Sequence, residues 1–213
     1  MNRNIAITGL KGSGKGTLAS YLVTTYNYTE LSFAHAVKDV LSSIFDWPRH
    51  LLEGDTSQSR RFRDTVDVWW SRELNIKDFT PRMAMQFIAT DLFRDRFHSD
   101  TWALTVKRKM KDTHVVISDM RFMNEYKVTQ PTVDIVVKVL PAKTPVWYNI
   151  AKQALEGDED AILDMLNSFP EVHKSEWETT IIPADIILRN DSTIADLALN
   201  FEQQIRQLDN PDK

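Results

Sequence analysis

Residues 9–17 read Gly-Leu-Lys-Gly-Ser-Gly-Lys-Gly-Thr, a spacing suited to one chemistry, the holding of a phosphate. Glycine lacks a Cβ, so a chain rich in it can curl with several N–H groups aimed inward at one anion. The apolar run Ile5-Ala6-Ile7-Thr8 precedes the loop, and Leu18, Tyr21, Leu22 and Tyr26 follow it at helical spacing. Strand, loop and helix in that order are the setting such a loop requires. The helix N-terminus adds partial positive charge and Lys15 a full one. Lys11, Gly12, Ser13, Gly14, Lys15, Gly16 and Thr17 are therefore the expected contacts to nucleotide phosphates. The Thr17 hydroxyl is the expected ligand on the Mg²⁺ side, since Mg²⁺ prefers hard oxygens. A glycine-rich turn that binds nothing is the plain alternative.

A second group follows the apolar run 114–118 and reads Asp119-Met120-Arg121, with Asn124-Glu125 beyond it. Open parallel sheets bind ligands past the carboxyl ends of their strands, where Asp119 is expected. A carboxylate there can touch Mg²⁺ through water or orient an acceptor; a helix N-cap is the other reading. Arg121 and Glu125, four apart, share a helix face as functional groups or as a surface pair. Arg82 follows Pro81 at a helix start, where a cation is unfavourable unless it meets an anion. Arg63 ends a basic stretch ahead of Trp69-Trp70, which could clamp a phosphate and stack a base. The commoner reading of such a stretch is a solvated helix start before core tryptophans. His173 and Glu176 could close over a nucleotide or form a surface turn. The other histidines, 35, 50, 98 and 114, lack metal spacing, and no structural zinc is expected.

The elements that must position these groups are short β-branched runs at 3–8, 30–33, 114–118, 133–140 and 184–188, separated by helical patterns. That alternation predicts a parallel sheet wrapped by helices. Between the second and third runs lies a long helical stretch, with Val37, Val40, Leu41, Ile44 and Phe45 on one face. Val66, Trp69 and Trp70, then Met83, Phe87 and Ile88, repeat the spacing. Ser99-Asp100 is expected to cap a helix running to Met110. Residues 146–167 predict one or two helices broken near Gly157. Asp191 or Ser192 is the expected cap of a terminal helix, and 209–213 is expected to fray.

The chain of 213 residues carries a net charge of −4 and no cysteine. No disulfide or thiolate chemistry is available, which suits a reducing cytoplasm. An acidic chain is not built as a general nucleic-acid binder; the run Lys107-Arg108-Lys109-Met110-Lys111 reads as a solvated helix face before a phosphate patch. The first apolar run is too short for a signal peptide, and no stretch approaches the ~20 apolar residues of a spanning helix. No nucleic-acid or membrane partner is expected.

Several blocks in order resemble the bacteriophage deoxynucleoside monophosphate kinases, a branch of the P-loop kinases. They are residues 9–17, whose Gly-Lys-Gly-Thr ending is like that of nucleoside monophosphate kinases; 33–39; 82–92; Trp102; Ser118 to Arg121 with Glu125; 173–176; and 189–192. The resemblance implies an α/β P-loop kinase fold, a three-layer α/β/α domain over 1–213 with a parallel β-sheet. It implies a helical substrate-binding insertion at about 34–113 and a lid-like insertion at about 143–180. It implies transfer of the γ-phosphoryl of ATP, with Mg²⁺, to a deoxynucleoside monophosphate. Lys15, Arg82, Asp119 and Arg121 would be catalytic. Lys38, Arg63, Arg82, Asp119, Arg121, Glu125, His173 and Glu176 would bind substrate. A homodimer, and the host cytoplasm if the source is viral, are the corresponding expectations. The rival readings are another small-molecule P-loop kinase, for dephospho-coenzyme A or a sugar, and a nucleotide-switched ATP-binding protein.

Overall fold

The computed structural model describes residues 3–110 and 114–210. Lys111 of the basic run, residues 111–113 of the expected insertion and 211–213 of the expected tail lie outside them. The elements run β1 (Ile5–Gly9), α1 (Lys15–Tyr26), β2 (Thr29–Leu31), α2 (Phe33–Phe45), a 3-10 turn (Arg49–Leu52), α3 (Ser57–Asp64), α4 (Val68–Glu73) and α5 (Pro81–Gln86). A π-helical stretch (Phe87–Phe97) leads to α6 (Thr101–Lys109), β3 (Val115–Met120), α7 (Met123–Thr129), a second 3-10 turn (Gln130–Thr132) and β4 (Ile135–Pro141). Then come α8 (Trp147–Leu155), α9 (Glu159–Ser168), α10 (Lys174–Ile181), β5 (Ile186–Asn190) and α11 (Ile194–Asp209). The chain divides into two compact units, Met1–Ser32 with Val106–Lys213, and Phe33–Thr105.

The first unit is built on a parallel sheet of order β2-β3-β1-β4-β5. β1 and β4 are buried nearly end to end, as parallel strands covered on both faces must be. Alternation along β4 shows the two covering layers. Val137 and Val139 join Leu18, Leu22, Leu197 and Phe201, a core shared by α1 and α11. Lys138 points the other way, where its Nζ donates to the Thr180 carbonyl of α10 at 3.1 Å. Helices thus lie on both faces of a three-layer α/β/α sandwich. Edge strand β5 keeps Ile186 and Leu188 inward and leaves Ile187 outside.

β1 lies between β3 and β4, so the chain switches sides of the sheet beside it, the crevice where such sheets bind ligands. β3 runs two residues past the expected end at 118, through Asp119 to Met120, because Thr8 pairs with Met120 across a register shift. Such an irregularity near a sheet end re-aims the side chains beyond it. Phe33, expected in the second strand, instead opens α2, whose buried face is Phe33, Val37 and Leu41. The cap of α11 is Thr193 rather than Asp191 or Ser192. Thr193 and Asp196 satisfy each other's amides in a capping box, and Ser192 donates to Asp196.

Helices α8, α9 and α10 carry a small core of their own. Ala151, Ala154, Ala161 and Met165 are enclosed by Trp147, Phe169 and Trp177. The expected break near Gly157 is present, with that glycine at φ 103°.

The second unit packs Phe45 flat on Trp47, ring centroids 4.4 Å apart, against Trp70 and Phe79. Trp47 Nε1 donates to Asp67, which also caps α4. Trp69 is 55% exposed, so the expectation of two core tryptophans fails for it. Met83 and Phe87 do not share one regular α-helix, because the winding widens at Phe87. The Ala89 carbonyl, which an α-helix would offer to residue 93, accepts the Trp102 indole N–H at 2.9 Å.

Candidate active site

The loop at the end of β1 has glycine where only glycine fits. A Cβ on Gly9 would stand 2.0 Å from the Val139 carbonyl oxygen of the adjoining strand. Gly14, at φ 102°, begins α1 with no side-chain cap, and a Cβ there would stand 2.5 Å from Asn190 Nδ2. That amide donates to the Ser13 carbonyl at 3.0 Å and fixes the loop from β5. Uncapped N–H groups at the start of α1 are donors for an anion. The Ser13 hydroxyl is buried and has no hydrogen-bond partner among the described residues. Beside Gly12 and Gly16 the space is open. A buried orphan hydroxyl, uncapped amides, open room and a lysine make a donor set that fits a phosphate.

Lys15 opens α1, buried, with Nζ donating to the carbonyls of Gly9 at 2.8 Å and Leu10 at 2.7 Å. Burial, and then the Arg121 charge, lower its pKa from 10.5 to about 8, while Glu176 and Asp119 oppose the shift. Thr17 is half-buried on the first turn of the same helix.

Asp119 accepts the Ser32 hydroxyl at 2.7 Å, so neighbouring strands β2 and β3 present both groups at the same end of the sheet. Asp119 is not the N-cap of α7, which starts at Met123. Glu125 serves that end. Buried, it turns Oε2 back to the amides of Arg121 at 2.8 Å and Phe122 at 3.1 Å. Of the two readings for Arg121 and Glu125, the surface pair is not what forms: Glu125 takes two otherwise orphan N–H groups of the turn. Arg121 instead faces Glu176 of α10, Nη1 to Oε1 3.6 Å, and Glu176 Oε2 accepts the Lys11 N–H at 2.7 Å. His173 caps α10 by accepting the Ser175 N–H at Nδ1. That bond engages Nδ1 alone, and the ring itself is exposed. Lys15, Asp119, Arg121 and Glu176 are thus brought together around the loop.

Lys38, Arg63 and Arg82 belong to the second unit. Lys38 is buried with its ammonium 2.5 Å from Glu53, which also pairs with Arg49. Although burial alone would raise it, hydrogen bonds from Lys38 and Arg49 hold the Glu53 carboxyl below its usual range. Arg63 donates to the Glu53 carbonyl and lies against Gly54. Arg82 is held by Asp64 through two hydrogen bonds. Each of these cations is engaged by a carboxylate or carbonyl of its own unit.

Four contributors escape the sequence reading: Ser32, Asn190, Glu178 and Lys138. Glu178 accepts the Met123 N–H at 2.8 Å and ties α10 to α7. Ser32 had a signal available as a hydroxyl directly after a strand, and Asn190 as a member of the block 189–192.

No family model matches the chain. A protein of Acanthamoeba polyphaga mimivirus, provisionally named a deoxynucleotide monophosphate kinase, is 28% identical over 221 residues, covering 97% of this chain and 96% of that protein. Among solved structures, the dephospho-CoA kinase from Campylobacter jejuni aligns over the whole of both chains at 13% identity and a TM-score of 0.49. The shikimate kinase from Aquifex aeolicus aligns over 97% of this chain and 98% of its own at 12% identity and a TM-score of 0.42. No described helix is long and apolar enough to cross a membrane.

Proposed function

We propose that this chain is a phosphotransferase that moves the γ-phosphoryl of ATP to a deoxynucleoside monophosphate, yielding the diphosphate and ADP. The observation that carries the reading is the convergence of Lys15, Asp119 and Arg121 on the loop 9–17. The mimivirus relative, aligned over nearly all of both chains, supports the choice of acceptor.

The bond from the γ-phosphorus to the β-phosphate bridging oxygen breaks as an acceptor phosphate oxygen bonds to it. Such transfer needs alignment and cations more than a strong base. The loop amides and the Ser13 hydroxyl hold the phosphates of the donor. Lys15 leaves the Gly9 and Leu10 carbonyls to meet the transferring group, and Arg121 meets the charge spread over its oxygens. Asp119, held by Ser32, orients the acceptor. Thr17 and Asp119 are the oxygens suited to Mg²⁺, which when bound would neutralise charge between the β- and γ-phosphates. Within the second unit, Lys38, Arg63 and Arg82 are the proposed substrate-binding cations, each exchanging its present partner for a phosphate oxygen. Glu125 supports the turn that carries Arg121.

The test is an acceptor screen reading ADP release with dGMP, dTMP and dCMP against dephospho-coenzyme A, gluconate and shikimate. Phosphorylation of at least one nucleoside monophosphate is expected. Activity confined to a non-nucleotide acceptor moves the chain to another small-molecule kinase. Slow ATP turnover that no acceptor accelerates makes it a nucleotide-switched protein.

A further inference from the structure

The Glu176 carboxylate occupies a place built for an anion. One oxygen takes the Lys11 amide of the loop at 2.7 Å, and the other lies 3.6 Å from Arg121 Nη1. Its charge acts on Lys15 as well. A loop amide, a guanidinium and an ammonium are the donors with which proteins grip phosphate oxygens. The Glu176 side chain is itself only 12% exposed, while the Arg121 side chain it faces is 40% exposed and Lys11 lies open to solvent. The helix that presents it is well anchored: His173 caps it, Glu178 holds the Met123 amide, and Lys138 takes its Thr180 carbonyl. A structural staple alone does not account for two cations and a loop amide around one carboxylate.

Resting on the reading of 9–17 as a phosphate site, we propose that Glu176 is a resident competitor at that site, holding the Lys11 amide and Arg121 until an entering phosphate displaces it. Every phosphate ligand that reaches the Lys11 amide must break the same contact. Removing the charge at 176 therefore tightens the binding of all such ligands by a common factor. A charge-assisted hydrogen bond of this kind corresponds to about 10–100-fold in affinity.

The experiment is calorimetric titration of the full chain with inorganic phosphate, pyrophosphate and ATP, for wild type, Glu176→Gln and Glu176→Asp. Glu176→Gln is expected to bind all three more tightly by about tenfold or more, and by similar factors. Glu176→Asp keeps the charge but retracts it from the Lys11 amide, and should fall between. It also serves if Glu176→Gln does not fold. A residue that merely staples α10 gives equal or weaker binding when removed, and that result overturns the proposal while leaving the phosphate site standing. Failure of wild type and both variants to bind any of the three probes removes the phosphate site itself, and this proposal with it.

Discussion

Lys15 is a cation kept in a dry place, balanced by two carbonyls and the charges of Asp119 and Glu176. Lowering its pKa from 10.5 to about 8 means that folding disfavours its charge by about 3 kcal/mol. A residue that weakens the fold is retained for what it does when a phosphate arrives. Lys15→Met keeps the stem and removes the charge. Turnover is expected to fall ~10²–10³-fold or more, while the urea midpoint stays level or rises. A variant that unfolds in less urea yet keeps its turnover would reverse this assignment. The ammonium is present below about pH 8 and lost above it. ATP affinity should therefore be flat through neutral pH and decline above about pH 8, with proton uptake on binding in that range. Lys15→Arg stays charged throughout, so its profile should lack the decline.

In the turn between β3 and α7, a carboxylate beside the site holds the backbone that carries its neighbour. The two amides received by Glu125 belong to the turn that carries Arg121. Glu125→Ala leaves both without that acceptor in a partly buried place, which should cost about 2 kcal/mol in urea unfolding. Glu125→Gln, which keeps one carbonyl oxygen, should recover much of it. If Glu125 instead contacts substrate, both variants lose activity equally with little change in stability. Helix α10 follows the same logic, since Glu176, Glu178 and the Thr180 carbonyl fasten it at three levels to the loop, to α7 and to β4. Its three attachments come from residues distant in sequence, which a local pattern does not register.

For the molecule as a whole, Lys15 and Lys138 both titrate near 8 in the folded chain, each chiefly because of burial. Between about pH 8 and 10.5 the unfolded chain binds more protons than the folded one, so stability rises with pH there. Tyr21 and Tyr26, raised by hydrogen bonds to Glu202, and Tyr28 and Tyr148, raised by burial, act oppositely above about pH 10. The urea midpoint should therefore climb from pH 8 to about 9.5, and Lys138→Met should flatten the climb. Nucleotide adds stability by mass action. At 100 times its dissociation constant, Mg-ATP should contribute ~2.7 kcal/mol, about 5–10 °C in melting temperature for a chain of this size. A melting curve indifferent to saturating Mg-ATP would remove ATP from the account.

What could be read along the chain was whatever neighbouring residues impose on one another. The glycines of 9–17 foretold a curled backbone, and Gly9, Gly12 and Gly14 take positive φ there. β-Branched runs foretold buried parallel strands, and Gly157 foretold the break between α8 and α9. Steric exclusion and periodicity act over a few residues, so they survive without tertiary context. Partner choice among charged groups did not. Lys11 meets Glu176 across 165 positions, and Asp119 meets Ser32 across 87. Glu125 turned to the backbone of its own turn, and Lys138 became the buried link to α10. Those outcomes depend on which groups lose water together, and only the packed sheet and its covering helices decide that.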